Sequence, residues 1–189
     1  MKNLRTIASI VIALMILPLQ AQIKQAVLNQ SKVSVTGTST IHDWEMEVNN
    51  YKSTANLVIN ENEISISKST LNFKTVDLKS SSSGLDNKAH EALSASKYPT
   101  ISFIQNGDVS ATLNGNKFNA IVAGKLTVAG QTKPVALKTE GVILADGTVK
   151  VKGSIDKKMS EFGVTPPRAM MGAIKSGDEI NIQFEVIYK

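Results

Sequence analysis

The feature that most constrains this chain is a two-residue period of apolar side chains. It is clearest near the C-terminus, where every second residue is apolar: Ile180, Ile182, Phe184, Val186 and Tyr188. The same period recurs in the middle of the chain, through Phe118, Ala120, Val122, Gly124, Leu126 and Val128. Successive side chains of a strand point to opposite faces, so this period predicts strands with one buried face.

Turn residues separate these segments and shorter ones like them. Asn106-Gly107, Asn114-Gly115 and Asp146-Gly147 each lie between alternating runs. Such pairs are typical of type I′ hairpins, whose two central residues both have positive φ. The connections are mostly too short for crossover helices, so we expect neighbouring strands to be antiparallel.

Two segments interrupt the strand pattern. Ser83 and Asp86 have the spacing of a capping box, which predicts one short helix over about residues 85–95, before Pro99. The second interruption, residues 157–176, is an unusually apolar loop that contains Phe162, Met170 and Met171. The sequence leaves open whether this loop is a lid, a plug or an outer wall.

The predicted fold is therefore all-β. Antiparallel strands in one domain must hide the edges of their sheet, and closure into an up-and-down barrel does so. We expect an extended barrel of about eight strands, whose interior holds side chains or one small ligand. A sandwich of two sheets is the alternative, and periodicity alone does not exclude it.

Composition and motifs exclude several functions. The chain has no cysteine, which removes disulfides, thiolate metal sites and a cysteine nucleophile. It has no Gly-x-Ser-x-Gly or phosphate-loop motif, and its two histidines lack metal-ligand spacing, so neither an enzyme nor a metal site is predicted. Its lysines are scattered among acidic residues without a basic run, which argues against nucleic-acid binding.

The N-terminal segment has the pattern of a secretory signal peptide. Lys2 and Arg5 precede an apolar run from Ile7 to Leu17, and Pro18 and Ala21 follow. We expect residues 1–21 to be cleaved and residues 22–189 to form the mature domain. The run is too short for a membrane span, which needs about 20 residues, so we expect a periplasmic or secreted protein without a stable membrane anchor.

Three blocks of sequence then point to a family. They are Leu85-Asp86-Asn87-Lys88-Ala89-His90 leading to Lys97-Tyr98-Pro99-Thr100, Leu126-Thr127-Val128 leading to Gly130 and Thr132-Lys133-Pro134-Val135, and Ser176-Gly177-Asp178-Glu179-Ile180. In order and spacing, the chain resembles the YceI-like family over essentially its whole mature length. The resemblance implies a lipocalin-like barrel with an apolar tunnel for a polyisoprenoid lipid, such as an isoprenoid quinone or polyprenyl phosphate, and implies no enzymatic activity.

Two blocks depart from the family pattern. Met159 stands where many relatives have an arginine, before Ser160-Glu161-Phe162-Gly163, and Ile41-His42-Asp43-Trp44 also differs. The missing cation weakens the expectation of an anionic head group, pyrophosphate above all. It leaves the expectation of a barrel intact.

The resemblance assigns inward-facing residues to a ligand wall, whereas periodicity alone favours the interpretation that they simply fill a core. The predicted tunnel residues are Phe73, Phe103, Phe118, Ala120, Val122, Leu126, Phe162, Met170, Met171 and Phe184.

Possible head-group contacts are His42, Trp44 and Arg168, the last with a surface position as the alternative. If residues 42–44 form a strand, His42 and Asp43 point to opposite faces, which argues against a catalytic pair.

The functional hypothesis is a periplasmic carrier or binding protein for an isoprenoid lipid. The alternative is a structural or stress-related interaction domain with a filled core. The oligomeric state is left open, with a homodimer as one possibility.

Overall fold

The computed structural model describes residues 22–27 and 30–189. In this part of the chain there are thirteen strands and one α-helix, α1 (Ser83–Ala92). The strands are β1 (Gln22–Gln25), β2 (Lys32–Ser39), β3 (Trp44–Val48), β4 (Lys52–Ile59), β5 (Glu63–Lys74), β6 (Leu78–Lys79), β7 (Thr100–Gln105), β8 (Val109–Thr112), β9 (Lys117–Val128), β10 (Gln131–Ile143), β11 (Val149–Lys158), β12 (Arg168–Ala169) and β13 (Ile174–Tyr188). Four of them, β1, β6, β8 and β12, have four residues or fewer, which leaves nine longer strands where about eight were predicted.

The strands form one curled sheet in which neighbours pair antiparallel, as predicted. The order along the sheet is β1-β4-β5-β7-β9-β10-β11-β13-β2-β3-β6, with β8 on β5 and β12 on β13. The curl brings distant segments together in two places. Ala26 bridges Tyr188 of β13, and β6, which follows β5 after one 3-10 turn, pairs with β3. The lipocalin-like, all-β expectation is confirmed.

The long strands carry the predicted alternation. In β9 the buried residues are Phe118, Ala120, Val122, Gly124 and Leu126, and the residues between them are exposed. The C-terminal alternation belongs to β13, which starts six residues earlier than the pattern, at Ile174. Period-two patterning therefore predicts correctly the buried face of β9 and, at Val186 and Tyr188, that of the end of β13.

One half of the barrel is filled by aromatic rings that lie over glycines of neighbouring strands. Phe118 pairs directly with Gly141 of β10, and Phe184 pairs with Gly153 of β11. A Cβ at either glycine would collide with the facing ring, and a Cβ at Gly124 would likewise collide with the ring of Phe103. Each glycine thus makes room for a flat ring, so the interior is closed at this end.

The predicted turn type is wrong at the three Asn-Gly and Asp-Gly pairs. In each pair only the glycine, Gly107, Gly115 or Gly147, has positive φ. The two positive φ values that a type I′ turn requires occur instead at Ala129 (48°) and Gly130 (75°), in the tight β9–β10 connection.

The helix is close to its predicted place, but its cap is not the predicted one. It begins at Ser83, because the side chain of Ser82 accepts the N–H of Leu85, and it ends at Ala92 rather than near residue 95. Asp86 does not complete a capping box. It accepts hydrogen bonds from Ser80 N at 2.7 Å and from Ser80 Oγ at 2.8 Å.

The apolar loop is shorter than predicted. Strand β11 extends to Lys158 and β13 begins at Ile174, which leaves a connection with two 3-10 turns and β12. Phe162 and Val164 of this connection are buried in the core. The predicted signal peptide, residues 1–21, lies outside the described residues.

Candidate functional site

The other half of the barrel holds an apolar cavity of about 900 Å³. Its wall comes from β2, β3, the end of β5, β7, the end of β9 and the first half of β13. The apolar wall residues on these strands are Val33, Val35, Trp44, Met46, Leu71, Phe73, Ile101, Leu126, Val128, Ile174, Ile180 and Ile182. A single strand can therefore contribute to both halves of the barrel. In β9, Val122 packs in the filled half, whereas Leu126 and Val128 border the cavity.

Helix α1 covers one side of the cavity. Leu85, Ala89, Ala92 and Leu93 lie on its inner face and line the space. Their spacing of four, three and one residues places them on one side of a helix. Because two of the four are alanines, the helix covers the space without filling it.

Polar contacts attach this helix to the barrel. His90 Nε2 donates to Leu78 O at 2.8 Å, and Lys79 Nζ lies 3.5 Å from Asp86 Oδ2. Burial disfavours the charged form of Asp86. The hydrogen bonds from Ser80 and the charge of Lys79 outweigh burial, so the pKa of Asp86 is lowered below its ordinary value. These contacts hold the ionised carboxylate in place beside the cavity.

The connection between β11 and β12 also forms part of the cavity wall. Met159, Phe162, Val164 and Pro167 border the cavity from this side. Asp178 fixes the connection, because it accepts from Ser160 N at 2.8 Å and from Ser160 Oγ at 2.5 Å. These hydrogen bonds lower the pKa of Asp178. The segment between β11 and β12 therefore lines the cavity.

Three cations border the cavity, and they differ in their partners. Lys79 lies near Asp86, and Lys88 Nζ lies 2.9 Å from Glu91 Oε2. Arg168 makes no ion pair with any other residue that the structure describes. Its guanidinium, on an exposed residue, is thus available to a ligand oxygen at the rim.

The predicted head-group residues all border the cavity, but they are not equally available. The indole N–H of Trp44 donates to Thr38 O at 2.9 Å and to Ser176 Oγ at 3.1 Å, so its donor is already used. The ring also covers Gly37, where a Cβ would collide with it. His42 Nδ1 lies 2.7 Å from Asp43 O. Residues 42 and 43 precede β3, which starts at Trp44, so these two side chains do not alternate between the faces of a strand.

The predicted tunnel residues fall into three groups. Phe73, Leu126 and Phe162 lie on the cavity wall. Phe103, Phe118 and Val122 are buried in the filled half and are not on that wall. Ala120 and Phe184 border a separate groove of about 1430 Å³, which is lined largely by polar and charged side chains.

The two methionines near the mouth face solvent instead of the cavity. Met170 is 74% exposed, and Met171 is fully exposed. Their apolar character suggested a place inside the barrel, but the backbone at both residues turns the side chains outward.

Sequence reasoning missed most of the wall. Ile101, Ile180 and Ile182 were recognised as strand residues but not as wall residues, because the period of two gives the buried face and not the half of the barrel. The shared helical face of Leu85, Ala89 and Ala92 was visible in the sequence and was the available signal for the covering helix.

Metal clusters and membrane-spanning helices are both absent from the described residues. No cluster of three or more histidine, aspartate or glutamate side chains has the arrangement of a metal site. No helix in residues 22–27 and 30–189 combines the length and the hydropathy that a bilayer crossing requires.

Comparison with known proteins gives the family. A model described as the YceI-like domain matches residues 21–188. The chain belongs to the YceI-like family. A comparison with curated proteins finds no match.

Solved structures share the YceI-like fold at low sequence identity. BcnA of Burkholderia cenocepacia is similar with a TM-score of 0.69 at 20% identity, over 86% of this chain and 98% of that one. A polyisoprenoid binding domain from Saccharophagus degradans, implicated in plant cell wall breakdown, has a TM-score of 0.65 at 8% identity, over 90% and 99%. The Campylobacter jejuni YCEI protein has a TM-score of 0.53 at 20% identity, over 73% and 80%. At these identities the likeness shows the fold alone.

Proposed function

We propose that this chain is a periplasmic or secreted carrier of an isoprenoid lipid, with the lipid tail in the cavity and the head group at its rim. The observation that carries the proposal is the apolar cavity of about 900 Å³ in one half of the barrel. The similar domain from Saccharophagus degradans, described as polyisoprenoid binding, supports this choice of ligand class.

The cavity volume suits a branched hydrocarbon chain. If each heavy atom takes about 30 Å³, the share of a water molecule in the liquid, the cavity holds about 30 atoms. That is about six five-carbon units. Each unit gains about 3 to 4 kcal/mol on burial before ordering costs are subtracted, so a few units suffice for tight binding without polar contacts to the tail.

The rim offers a donor and an acceptor to a head group. The planar N–H groups of Arg168 suit a carbonyl or phosphate oxygen. Because His42 Nδ1 donates to Asp43 O, neutral His42 offers Nε2 as an acceptor for a hydroxyl. We therefore propose an oxygen-bearing head group, as in a quinone or a polyprenyl derivative.

The proposed location rests on the sequence of residues 1–21. Their charged, apolar and small-residue regions match a signal peptide, and the proposed carrier would act after export and cleavage. We propose binding without catalysis, because the cavity wall is mostly hydrocarbon.

Native mass spectrometry of the protein purified from its own host tests this proposal, with organic extraction to identify the ligand. We expect a bound species whose mass and fragments are those of an isoprenoid lipid. A protein that carries no lipid, and that takes up none after delipidation and incubation with an isoprenoid quinone or a polyprenyl phosphate, would contradict it. That result would favour the alternative of an interaction domain.

The same two ligands identify the head group when an Arg168→Gln variant is compared with the unmodified protein. If the head group is a phosphate, the variant loses affinity for polyprenyl phosphate far more than for the quinone. Equal affinities of the variant and the unmodified protein for both ligands would exclude Arg168 as a head-group contact.

A further inference from the structure

Two loops at the cavity mouth form one projecting unit, here called the rim tip, made of residues 39–43 and 168–175. Hydrogen bonds join them: Thr40 N donates to Lys175 O at 3.0 Å, and Lys175 N donates to Thr40 Oγ1 at 3.2 Å. Ser39 also pairs with Ser176 in the sheet. The two loops therefore form one continuous surface.

The rim tip displays large apolar side chains to solvent. Met171 is fully exposed, Met170 is 74% exposed and Ile41 is 60% exposed. The backbone at both methionines is left-handed, with φ of 49° and 53°, a conformation that non-glycine residues rarely adopt because it is strained. A strained turn that points two methionines away from the core calls for a partner outside the chain.

The same tip carries a pair of like charges. Arg168 of β12 and Lys175 of β13 are directly opposite each other in the sheet. Like charges in this position destabilise a strand pair unless a counter-charge is present. Neither residue has an ion pair within residues 22–27 and 30–189, and Asp43 is the acidic residue of the tip. The Arg168–Lys175 pair therefore calls for a negatively charged partner.

We propose that the rim tip docks on an anionic lipid bilayer, with Met170 and Met171 in the interfacial layer and Arg168 and Lys175 against the lipid phosphates. An apolar tip with flanking cations is the combination that interfacial binding requires. Ile41 and Arg168 also line the cavity, so docking places its mouth at the membrane surface. The inference rests on the proposed function, since it gives the route by which a membrane lipid enters or leaves the cavity.

Co-sedimentation with vesicles tests the docking directly. Vesicles of phosphatidylcholine alone are compared with vesicles that also contain phosphatidylglycerol, at low and high salt. We expect binding to the anionic vesicles that weakens with salt. The Met170→Ser/Met171→Ser double variant should bind at least about tenfold more weakly, because burying one methionine side chain contributes about that factor or more. Lys175→Glu should also weaken binding, and free inorganic phosphate should not compete.

A matched control replaces two exposed isoleucines on the outer face of the barrel, away from the rim tip. Ile104 and Ile121 are 58% and 60% exposed, and the Ile104→Ser/Ile121→Ser variant should bind vesicles like the unmodified protein. Equal loss in this control, unchanged binding by the methionine variant, or no binding of the unmodified protein to anionic vesicles would overturn the proposal. The methionine variant could also differ from the unmodified protein in its own sedimenting mass while binding vesicles equally well. That result would identify the rim tip as a contact between protein copies and would also overturn the docking proposal.

Uptake of a fluorescent isoprenoid from detergent micelles separates this inference from the proposed function. The methionine variant should take up the probe from micelles normally while losing transfer from vesicles. If the unmodified protein takes up nothing from micelles but still binds vesicles, the carrier function fails and the docking surface stands.

Discussion

Substitution of Ala89 by tryptophan tests the cavity by filling it. Ala89 lies in the middle of α1 and faces the cavity. Tryptophan adds nine heavy atoms to the side chain, about a third of the roughly 30 atoms that the space accommodates. The remaining volume holds about four isoprene units in place of about six. A tail of about six isoprene units would then leave nearly two of its units in water.

The expected loss of affinity follows from those atoms. For ligands of this size each heavy atom contributes about 0.3 kcal/mol, so nine displaced atoms are worth about 2.7 kcal/mol. This is about a hundredfold in Kd. The cost to the fold should be small, because the ring enters open space and tryptophan lowers helix propensity by less than about 0.7 kcal/mol. The melting temperature should therefore fall by no more than about 3 °C.

The assay is titration of a fluorescent isoprenoid, with a melting curve for each variant. The control is Ala123→Trp, the same substitution on the exposed outer face of β9. It should leave the Kd unchanged. Full affinity in a folded Ala89→Trp protein, or the same loss in both variants, would refute the idea that the tail occupies this cavity.

Two predictions concern stability. Gly141→Ala should destabilise the fold by about 1–3 kcal/mol, because the added Cβ would collide with Phe118. Gly84→Ala in α1 should instead stabilise the fold by about 0.5–1 kcal/mol, because alanine has the higher helix propensity. Thermal denaturation measures both changes, and equal effects would contradict the packing of the Phe118 ring on Gly141. Asp86→Ala should cost about 2 kcal/mol at pH 7, because Ser80 loses its charged acceptor. Because the pKa of Asp86 is lowered in the folded protein, its stabilisation is complete well above the ordinary value of 3.8 and is lost as the pH falls through the lowered pKa. The stabilities of the Asp86→Asn variant and the unmodified protein should therefore converge only at pH values below that lowered pKa, and a difference that persists there would disprove this role.

The fold was largely predictable because it depends on local pattern. The alternation from Phe118 to Leu126 gives the buried face of β9 without reference to any partner strand. The site was less predictable, because the boundary between filled and hollow halves depends on cross-strand register. Phe118 closes the barrel only because Gly141 lies opposite it, and these residues are on different strands.

The mouth was the least predictable part for a similar reason. Trp44 looked like a free indole donor, but Thr38 O and Ser176 Oγ accept its N–H, and Ser176 is distant in the sequence. Met170 and Met171 looked like interior residues because hydropathy does not record a left-handed turn. Backbone conformation and long-range contacts therefore decide the positions that sequence composition does not.

Methyl-labelled NMR of β9 determines which half of the barrel holds the lipid, since this strand contributes side chains to both halves. With a bound isoprenoid, we expect intermolecular nuclear Overhauser effects from ligand protons to Leu126 and Val128, and none to Val122. Ligand contacts at Val122, or a tight complex without contacts at Leu126 and Val128, would contradict a lipid held in the hollow half.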